Sequence, residues 1–536
     1  MSYGQQPGGW QPQPQQPYYP PAGAPPPQMN QSQPYGGAPP PQNDSYYNGG
    51  YNQQQGGFSH QQAYQGGDAK MALKPDGFEG ERFKPAKPKF HDPIFLALFI
   101  AVFGGYVAIS VISLRAYISS DLNESIGVSN TLGATLNGHT AVLLMLCCLI
   151  ALVLSVGYLL LVRKLTTIIL EVTLALSVLL NVGFAVYLWI AGNTSAAIIF
   201  TIFAVLSVVS YFFMRKRIPL AKVLLQTVIR AADTYWSSYV VAMVGLIVQT
   251  AFSVWVAWTL VATYQRFDPS GQAAGSSTSS GAVTGLVVFI IFAYYWSSEV
   301  IKNVAFTTVA GIFGVWYYND TKPKNVALGS FKRASTYSLG SICFGSLIVA
   351  ILDLLRALLN VVQQQQASEG DACGTILACV AGCCIGCIDA MVQWFNRYAY
   401  INIALYGNSY VAAAKETWTL LKQKGIDAII NDSLVNIVWT MGAYIIGVCC
   451  ALFAFIYEQK TRPEYLEQSG YYAVILLFAF GLGLNIAMAL GSGTIGSGVS
   501  TFFVALAEDP HVVAQRDPQL FETIRSNYPH VVNPVH

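Results

Sequence analysis

The sequence predicts an all-α, polytopic membrane protein with about ten transmembrane helices and a disordered N-terminal tail. Three observations lead to this fold class. First, ten long apolar stretches fill the chain between Pro93 and Leu506, and a bilayer core requires about 20 mostly apolar residues per helix. Second, only 10% of the residues are charged, against roughly 25% in a typical soluble domain. Third, the loops between the apolar stretches alternate in their content of Lys and Arg.

The first 90 residues form a separate region, predicted to be a disordered cytosolic tail rich in Gln, Pro, Gly and Tyr. Thirteen of the chain's 25 prolines lie within residues 1–67, where the only charged side chain is Asp44. Such a segment cannot bury enough apolar surface to offset its chain entropy. It either binds cytosolic protein partners or is a passive extension. A basic stretch that could touch anionic lipid closes the tail: Arg82, Lys84, Lys87 and Lys89.

Ten spans follow, beginning with Pro93–Leu114, which contains no charged residue. They make up a transmembrane domain over residues 91–509, and a cytosolic tail over 510–536 ends the chain. The N-terminus lacks the pattern of a cleavable signal peptide, so the first span is expected to act as a signal anchor. The predicted spans are 93–114, 139–162, 165–190, 195–213, 237–262, 282–317, 339–360, 374–395, 434–456 and 470–506.

The distribution of basic residues predicts the orientation of the spans. With the N-terminus inside, the inside segments hold 21 Lys and Arg residues from Arg82 onward, and the outside segments hold four, namely Arg115, Arg266, Lys460 and Arg462. Basic residues favour the cytosolic side of a membrane, so both termini are predicted to be cytosolic. Asn123 begins a sequon in the first outside loop and is therefore a candidate glycosylation site.

Two hydrophobic regions are too long to be simple spans. The sixth, Gly281–Tyr318, has 38 residues and would reach about 57 Å as one helix, so it must protrude, tilt or break. The tenth contains six glycines from Gly481 to Gly498, which allow close helix packing or local unwinding. Two inside segments, Ala221–Ser238 and Val411–Lys424, are predicted to be helices that lie along the membrane surface or pack against the cytosolic face.

Ionisable residues within the spans are few, and each carries a large desolvation cost. Glu299 and Lys302 lie three residues apart on one face of the sixth span. They either neutralise each other or form a cation or proton site with Lys302 as its modulator. Asp353 and Arg356 form a similar pair in the seventh span, and Asp389 lies in the eighth. These residues are candidate positions on a solute pathway.

Aromatic residues cluster near the first of these pairs. A cage of aromatic faces attracts a quaternary ammonium through cation–π interactions, worth about 2 kcal/mol when desolvated. The alternative is ordinary helix packing or an interfacial belt. Together with the ion pair, the aromatic residues of the fifth and sixth spans make up the candidate substrate-binding set: Trp255, Trp258, Tyr295, Trp296, Glu299 and Lys302.

Several kinds of chemistry lack support in the sequence. A net charge of +2 gives nucleic-acid binding no electrostatic basis, and the P-loop, nucleophile-elbow and HExxH motifs are absent. Five of the ten cysteines lie between Cys373 and Cys387. Because His and acidic residues are scarce nearby, packing or palmitoylation is favoured there over a zinc site. The sequence therefore predicts no enzyme, no cofactor and no metal site.

Three sequence blocks resemble those of the choline transporter-like family. They are TVAGIFGVWYY (Thr308–Tyr318), NRYAYINIALYG (Asn396–Gly407) and FFVALAED (Phe502–Asp509). The Gln/Pro/Tyr-rich head and the short first outside loop resemble the fungal, pH-nine-sensitive branch. The resemblance covers about residues 70–536. It implies ten spans, cytosolic termini, a plasma-membrane location and, in animal members, facilitated movement of choline or a related solute. Unlike the animal members, this chain has a first outside loop, Arg115–Gly138, that is short and free of cysteine.

The sequence therefore predicts transport of a small solute, a choline-like organic cation, across the plasma membrane by facilitated or secondary transport. The expected partners are the lipid bilayer and that solute, and the site is expected among the fifth, sixth and tenth spans. One alternative is a non-transporting scaffold or sensor that uses the N-terminal tail; another is a lipid-modifying enzyme. Deleting residues 1–70 separates the first two functions, because a transporter keeps its flux whereas a scaffold loses its phenotype.

Overall fold

The computed structural model describes residues 89–119, 138–192, 194–267, 280–319, 323–368, 372–461, 471–527 and 529. Regular structure in this part of the chain is helical throughout. Two predictions lie outside the described residues: the disordered tail, of which only Lys89 and Phe90 are described, and the glycosylation of Asn123.

Fifteen α-helices and two π-helical segments follow one another along the described chain. The α-helices are α1 (Pro93–Ser119), α2 (Gly138–Lys164), α3 (Thr166–Ile190), α4 (Thr194–Arg215), α5 (Ile218–Thr234), α6 (Ser237–Arg266), α7 (Ser280–Tyr318), α8 (Val326–Lys332), α9 (Leu339–Ser368), α10 (Ala372–Tyr406), α11 (Tyr410–Thr461), α12 (Tyr471–Met488), α13 (Ser497–Glu508), α14 (Pro510–Arg516) and α15 (Pro518–Asn527). The π-helical segments are Arg333–Tyr337, between α8 and α9, and Ala489–Gly496, between α12 and α13.

The helices match the predicted spans. Each of the ten predicted spans falls within this helical series, and eight helical stretches among the described residues are long and apolar enough to cross a membrane. The other two predicted spans lie in α4, whose apolar part Phe200–Arg215 is shorter, and in α10. The predicted fold class, an all-α polytopic membrane protein, is confirmed.

Helix α7 shows that the sixth hydrophobic region is not broken, which was one of its three predicted alternatives. It is a single α-helix of 39 residues, Ser280–Tyr318, and it contains no proline that would interrupt the backbone hydrogen bonds. The polar residues Ser297–Glu299 in its middle do not break it. Since the helix is longer than a bilayer core is thick, it tilts or protrudes.

The tenth hydrophobic region has the irregular backbone that its glycines allow. Its helix changes to a π-helix over Ala489–Gly496 and then resumes as α13. Gly491 lies so close to the indole of Trp439 on α11 that a Cβ atom at this position would overlap the ring. Both predicted features are therefore present in this region: an irregular backbone and close helix packing.

Both predicted cytosolic segments are helical and pack against the bundle, but only the first is a separate helix. Helix α5 packs into the bundle, with Leu224, Leu225 and Val228 buried, as the packed alternative required. The segment Val411–Lys424, in contrast, is the first part of α11, a continuous helix of 52 residues that includes the ninth span. Ala413, Thr417 and Leu420 are buried, so this segment also packs against the bundle, and no proline interrupts the helix before the span begins.

The main core lies where α5 and α13 meet the C-terminal parts of α7 and α10 and the middle of α11, and it includes Leu224, Phe313, Val438 and Phe503. Helices α3 and α4 contribute residues to this core but also point many large apolar side chains outward, among them Leu179, Ile190, Phe203 and Phe212. Contiguous exposed apolar surface of this size indicates contact with lipid.

Candidate functional site

A cavity of about 530 Å³ opens between α7, α9, α10 and α11. Its volume lies within the range of about 300–1,000 Å³ that is typical of small-molecule sites. Its wall combines aromatic rings with acidic, basic and amide side chains, so it suits a ligand that has both charged and apolar parts. The charged and amide groups central to its chemistry are Glu299 and Lys302 of α7, Arg397 of α10, and Asp432 and Asn436 of α11.

Glu299 is the acidic group on the α7 wall. Residues three and four apart share a helix face, so Glu299, Lys302 and Asn303 lie together. The Lys302 Nζ donates to the Glu299 Oε1 at 2.9 Å, and the Asn303 Nδ2 donates to the Oε2 at 3.3 Å. The side chain of Glu299 is 12% exposed and that of Lys302 is 56% exposed. The carboxylate is therefore held in place, whereas its cationic partner is largely free to move.

A hydrogen-bonded chain joins Glu299 to the two neighbouring helices. The Asn303 amide also donates to the Ser346 Oγ of α9 at 3.0 Å, and that hydroxyl lies 3.4 Å from the hydroxyl of Tyr400 on α10. Asn303, Ser346 and Tyr400 are all buried or nearly so. Buried polar groups that satisfy one another restrict the geometry of a site.

Asp432 supplies a second carboxylate at the start of the span in α11. It accepts hydrogen bonds from the Tyr398 hydroxyl at 2.7 Å, the Trp394 indole at 3.2 Å and the Ser500 hydroxyl at 2.8 Å. These donors come from α10 and α13 and are all neutral. Asp432 thus ties three helices together at the cavity wall.

The α10 wall adds a cation and further polar groups. The guanidinium of Arg397 lies 5.9 Å from the centroid of the Phe306 ring on α7, within the range of a cation–π contact. Asn396 donates to the carbonyl of Gly345 at 3.1 Å and accepts from the hydroxyl of Tyr410 at 2.6 Å. Burial raises the pKa of Tyr410 to about 12, so this hydroxyl keeps its proton and remains a donor.

The cavity also touches the irregular part of the tenth span. The Oγ of Ser492, in the π-helical segment Ala489–Gly496, donates to the Oδ1 of Asn436 at 3.1 Å. Asn436 lines the cavity. A change of backbone in the π-helical segment would therefore act directly on the cavity wall.

Of the six predicted substrate-binding residues, the structure brings Glu299 and Lys302 to the wall of this cavity. Within the described part of the chain, the wall does not include the four predicted aromatic residues. Trp255 donates its indole N–H to Ser110 at 2.8 Å and packs against Tyr106, with ring centroids 5.1 Å apart. Trp258 is 51% exposed on the outer surface of the bundle.

The other two aromatic residues lie between α7 and its neighbours. Trp296 is fully buried, donates to the carbonyl of Cys343 at 3.0 Å and meets Phe99 edge to face. Tyr295 is half-buried next to Tyr294 and interacts electrostatically with Asp353. The predicted residues therefore do not form one aromatic cage in this conformation.

The sequence reasoning missed several cavity residues. Asp432, Trp394 and Asn436 lie within or next to predicted spans, and Arg397 was counted only as a charge in an inside loop. The sequence signal that could have identified these residues is the presence of polar side chains at the boundaries of the eighth and ninth spans.

The other predicted pathway residues lie near the cavity. Asp389 accepts both hydrogen bonds of Gln393, a cavity residue, while Asp353 interacts electrostatically with Glu299 and Asp389.

In the part of the chain that the structure describes, no group of three or more His, Cys, Asp and Glu side chains has the arrangement of a metal site. In the cysteine-rich part of α10, Cys383, Cys384 and Cys387 are exposed, free thiols.

Comparison with known proteins gives concordant matches. The family described as plasma-membrane choline transporter matches residues 198–511, a stretch that contains all four helices of the cavity. Protein PNS1 of Mycosarcoma maydis is 66% identical over 486 residues, which are 90% of this chain and 92% of the relative. Proteins of the same name are 48% identical in Cryptococcus neoformans, over 85% of each chain, and 40% identical in Yarrowia lipolytica, over 84% of this chain and 80% of the relative.

Proposed function

This chain belongs to the choline transporter-like family, in its fungal pH-nine-sensitive branch, and from that membership we propose that it transports a small organic cation related to choline. The proposed mode is facilitated or secondary transport at the plasma membrane, and the proposed binding site is the cavity between α7, α9, α10 and α11. Membership in a transporter family also supports a role other than that of an enzyme.

The observation that carries the proposal is the anchored carboxylate of Glu299. It faces a cavity of about 530 Å³ whose wall also contains Phe306, Trp394 and Tyr400. Aromatic faces and a carboxylate are the groups that recognise a quaternary ammonium. Lys302, which is more exposed, moves aside when the cation binds, and the cation takes its place next to Glu299.

The structure also suggests how the site would open and close. Transporters commonly use discontinuous helices near their binding sites, and π-helical turns are frequent at functional sites. The π-helical segment Ala489–Gly496 contacts the cavity through the hydrogen bond from Ser492 to Asn436. We assign to this segment the backbone change that accompanies alternating access. In this conformation Trp255 and Trp296 pack helices together and do not touch the solute.

The test is uptake into sealed liposomes that contain the purified full-length chain. A panel of choline, other quaternary amines and neutral solutes of similar size would be offered. The wild-type protein should accumulate at least one cationic member, and Glu299→Gln should reduce that uptake about tenfold or more, as expected for the loss of one partly desolvated charge contact.

Glu522→Gln is the matched control, because Glu522 is 66% exposed on α15, far from the cavity in sequence and outside its wall. It should transport at the wild-type rate. Equal uptake by the wild type and Glu299→Gln would remove Glu299 from the mechanism, and uptake of no cation on the panel would contradict the proposed substrate class.

The proposed orientation places both termini in the cytosol and the loop with Asn123 outside. This orientation rests on the distribution of Lys and Arg. In a glycosylating host, the wild-type protein should then carry a glycan that a glycosidase removes with a shift in gel mobility. Asn123→Gln should lack that shift, and an unglycosylated wild type would contradict the proposal for this site.

A further inference from the structure

A second cavity, of about 190 Å³, lies at the end of the bundle that the basic loops predict to face the cytosol. It is formed between the segment before α1, helix α8 and the π-helical segment Arg333–Tyr337. The C-terminal end of α10 completes its wall. The transport proposal makes no use of this cavity.

Its wall is rich in groups that donate hydrogen bonds to anions. Lys89 and His91 come from the segment before α1, and Arg333 comes from the π-helical segment. Ser330 and Thr307 add hydroxyl groups, and none of the described lining residues is Asp or Glu. The planar guanidinium of arginine matches the geometry of a phosphate group.

The side chain of Thr307 provides an independent observation that points to a ligand. This residue of α7 lines the cavity and is only 3% exposed. Its Oγ1 is buried and has no hydrogen-bond partner among the described residues. A buried hydroxyl without a partner is costly, whereas a phosphate oxygen in the cavity would satisfy it.

The cavity is built by close contacts that fix its basic residues. A Cβ atom at Gly340 would overlap the carbonyl oxygens of His91 and Asp92, so only glycine lets the N-terminal segment approach α9 this closely. The backbone N–H of His91 donates to the carbonyl of Tyr337 at 3.3 Å, and the rings of Phe90 and Tyr337 lie 4.9 Å apart. Lys89 and His91 are thereby held against the π-helical segment.

Three acidic groups lie close to the cavity residues, and each is hydrogen-bonded. Glu508 is bonded to the hydroxyl of Tyr406, a residue of the wall. Asp92 accepts from Ser341 at 2.6 Å and from the backbone N–H of Tyr410 at 2.9 Å. Glu416 accepts from Asn402 at 2.6 Å and from Asn408 at 2.9 Å. These hydrogen bonds stabilise the carboxylates outside the cavity, and the wall itself remains basic.

We propose that this second cavity binds a phosphate group, either free or on a phosphomonoester lipid headgroup. Arg333 contacts the phosphate oxygens together with Lys89 and His91, and the Thr307 hydroxyl donates to the same group. The basic residues just before a first span often contact anionic headgroups, and here two of them belong to a formed cavity. The binding site is distinct from the cavity of Glu299 and does not depend on transport.

The test measures the thermal unfolding midpoint of the purified full-length chain in detergent, because a ligand that binds the folded state raises the midpoint with concentration. Three probes are titrated at equal ionic strength: inorganic phosphate, dioctanoyl phosphatidic acid and dioctanoyl phosphatidylcholine. Phosphatidylcholine serves as the control that carries no phosphomonoester. The variants are Arg333→Gln, Thr307→Val and, as a matched control, Lys332→Gln, which removes an exposed neighbouring charge outside the cavity.

Wild type and Lys332→Gln should respond equally, Arg333→Gln should bind at least about tenfold more weakly, and Thr307→Val at least about fivefold more weakly. A response to both phosphate and phosphatidic acid identifies the phosphate group itself as the ligand, and a response to phosphatidic acid alone identifies a lipid headgroup. If Arg333→Gln misfolds, Thr307→Val decides, since it removes only a hydroxyl without a partner.

Three results would each overturn the proposal. One is the absence of any response to phosphate or phosphatidic acid. Another is wild-type affinity in Thr307→Val. The third is an equal loss of affinity in Lys332→Gln and Arg333→Gln, which would show attraction to general surface charge.

Discussion

The two charges of the Glu299–Lys302 pair are not equivalent. The carboxylate of Glu299 is largely buried and also bonded to Asn303, whereas more than half of the Lys302 side chain is exposed. An ion pair with one well-exposed partner contributes on the order of 1 kcal/mol, and a bound cation can replace that contribution. In the proposed mechanism Lys302 is therefore a competitor of the solute for the same carboxylate.

Replacing Lys302 by Gln should strengthen choline binding about two- to fivefold, since the variant loses a competing interaction of about 0.5–1 kcal/mol. The measurement is saturation binding of radiolabelled choline to the detergent-purified protein. Lys415→Gln is the control, because Lys415 is exposed and lies outside the cavity wall. Weaker choline binding in Lys302→Gln would show that the lysine assists the solute.

Two predicted aromatic residues allow a matched test of their roles. Trp296→Phe removes the hydrogen bond to Cys343 and part of a fully buried ring, so the free energy of unfolding should fall by about 1–3 kcal/mol. Trp258→Phe changes a half-exposed ring, so the free energy of unfolding should change by less than about 0.5 kcal/mol. Unfolding midpoints in detergent measure the difference. Equal losses in the two variants would contradict the packing role assigned to Trp296.

At this scale the sequence predicted part of the site. Glu299 and Lys302 were recognisable because charges three apart in an apolar helix are rare and share a face. Asp432 and Arg397 were not recognisable as cavity residues, because each lies near the boundary of a span, where charges are common. Only the packing of α10 against α11 shows that they face the cavity.

Among the elements, the tenth hydrophobic region departs most from a regular span. The change to a π-helix over Ala489–Gly496 fits the glycine content, which predicted close packing or unwinding. Glycine content does not distinguish a π-helix from other irregular backbones, and the contacts of this segment with Trp439 and Asn436 of α11 are not visible in the sequence.

Two glycines of the π-helical segment should respond differently to the same substitution. A methyl group at Gly491 would overlap the indole of Trp439, whereas at Gly493 the nearest atoms are 3.6 and 3.9 Å away. Gly491→Ala should therefore lower the free energy of unfolding by about 1–3 kcal/mol, and Gly493→Ala should change it by less than about 1 kcal/mol. Thermal unfolding of both variants tests this difference. A Gly493→Ala variant less stable than Gly491→Ala would contradict the described packing.

For the whole molecule, the fold class and the span positions followed from hydropathy and helix length alone. The lipid requires each crossing segment to satisfy its own backbone hydrogen bonds, so long apolar stretches become helices whatever their neighbours are. The arrangement of the helices has no such local cause. The site was expected among the fifth, sixth and tenth spans, but the cavity lies among the sixth, seventh, eighth and ninth. The tenth span reaches its wall through the hydrogen bonds from Ser492 to Asn436 and from Ser500 to Asp432.

The central claim is that the carboxylate of Glu299 recognises the positive charge of a choline-like solute in the cavity between α7, α9, α10 and α11. The most direct measurement compares the binding of choline with that of its neutral isostere, in which carbon replaces the quaternary nitrogen, to the wild type and to Glu299→Gln. The account predicts that the wild type prefers choline and that Glu299→Gln reduces this preference about tenfold, or about 1.4 kcal/mol. An unchanged ratio of the two affinities would contradict it.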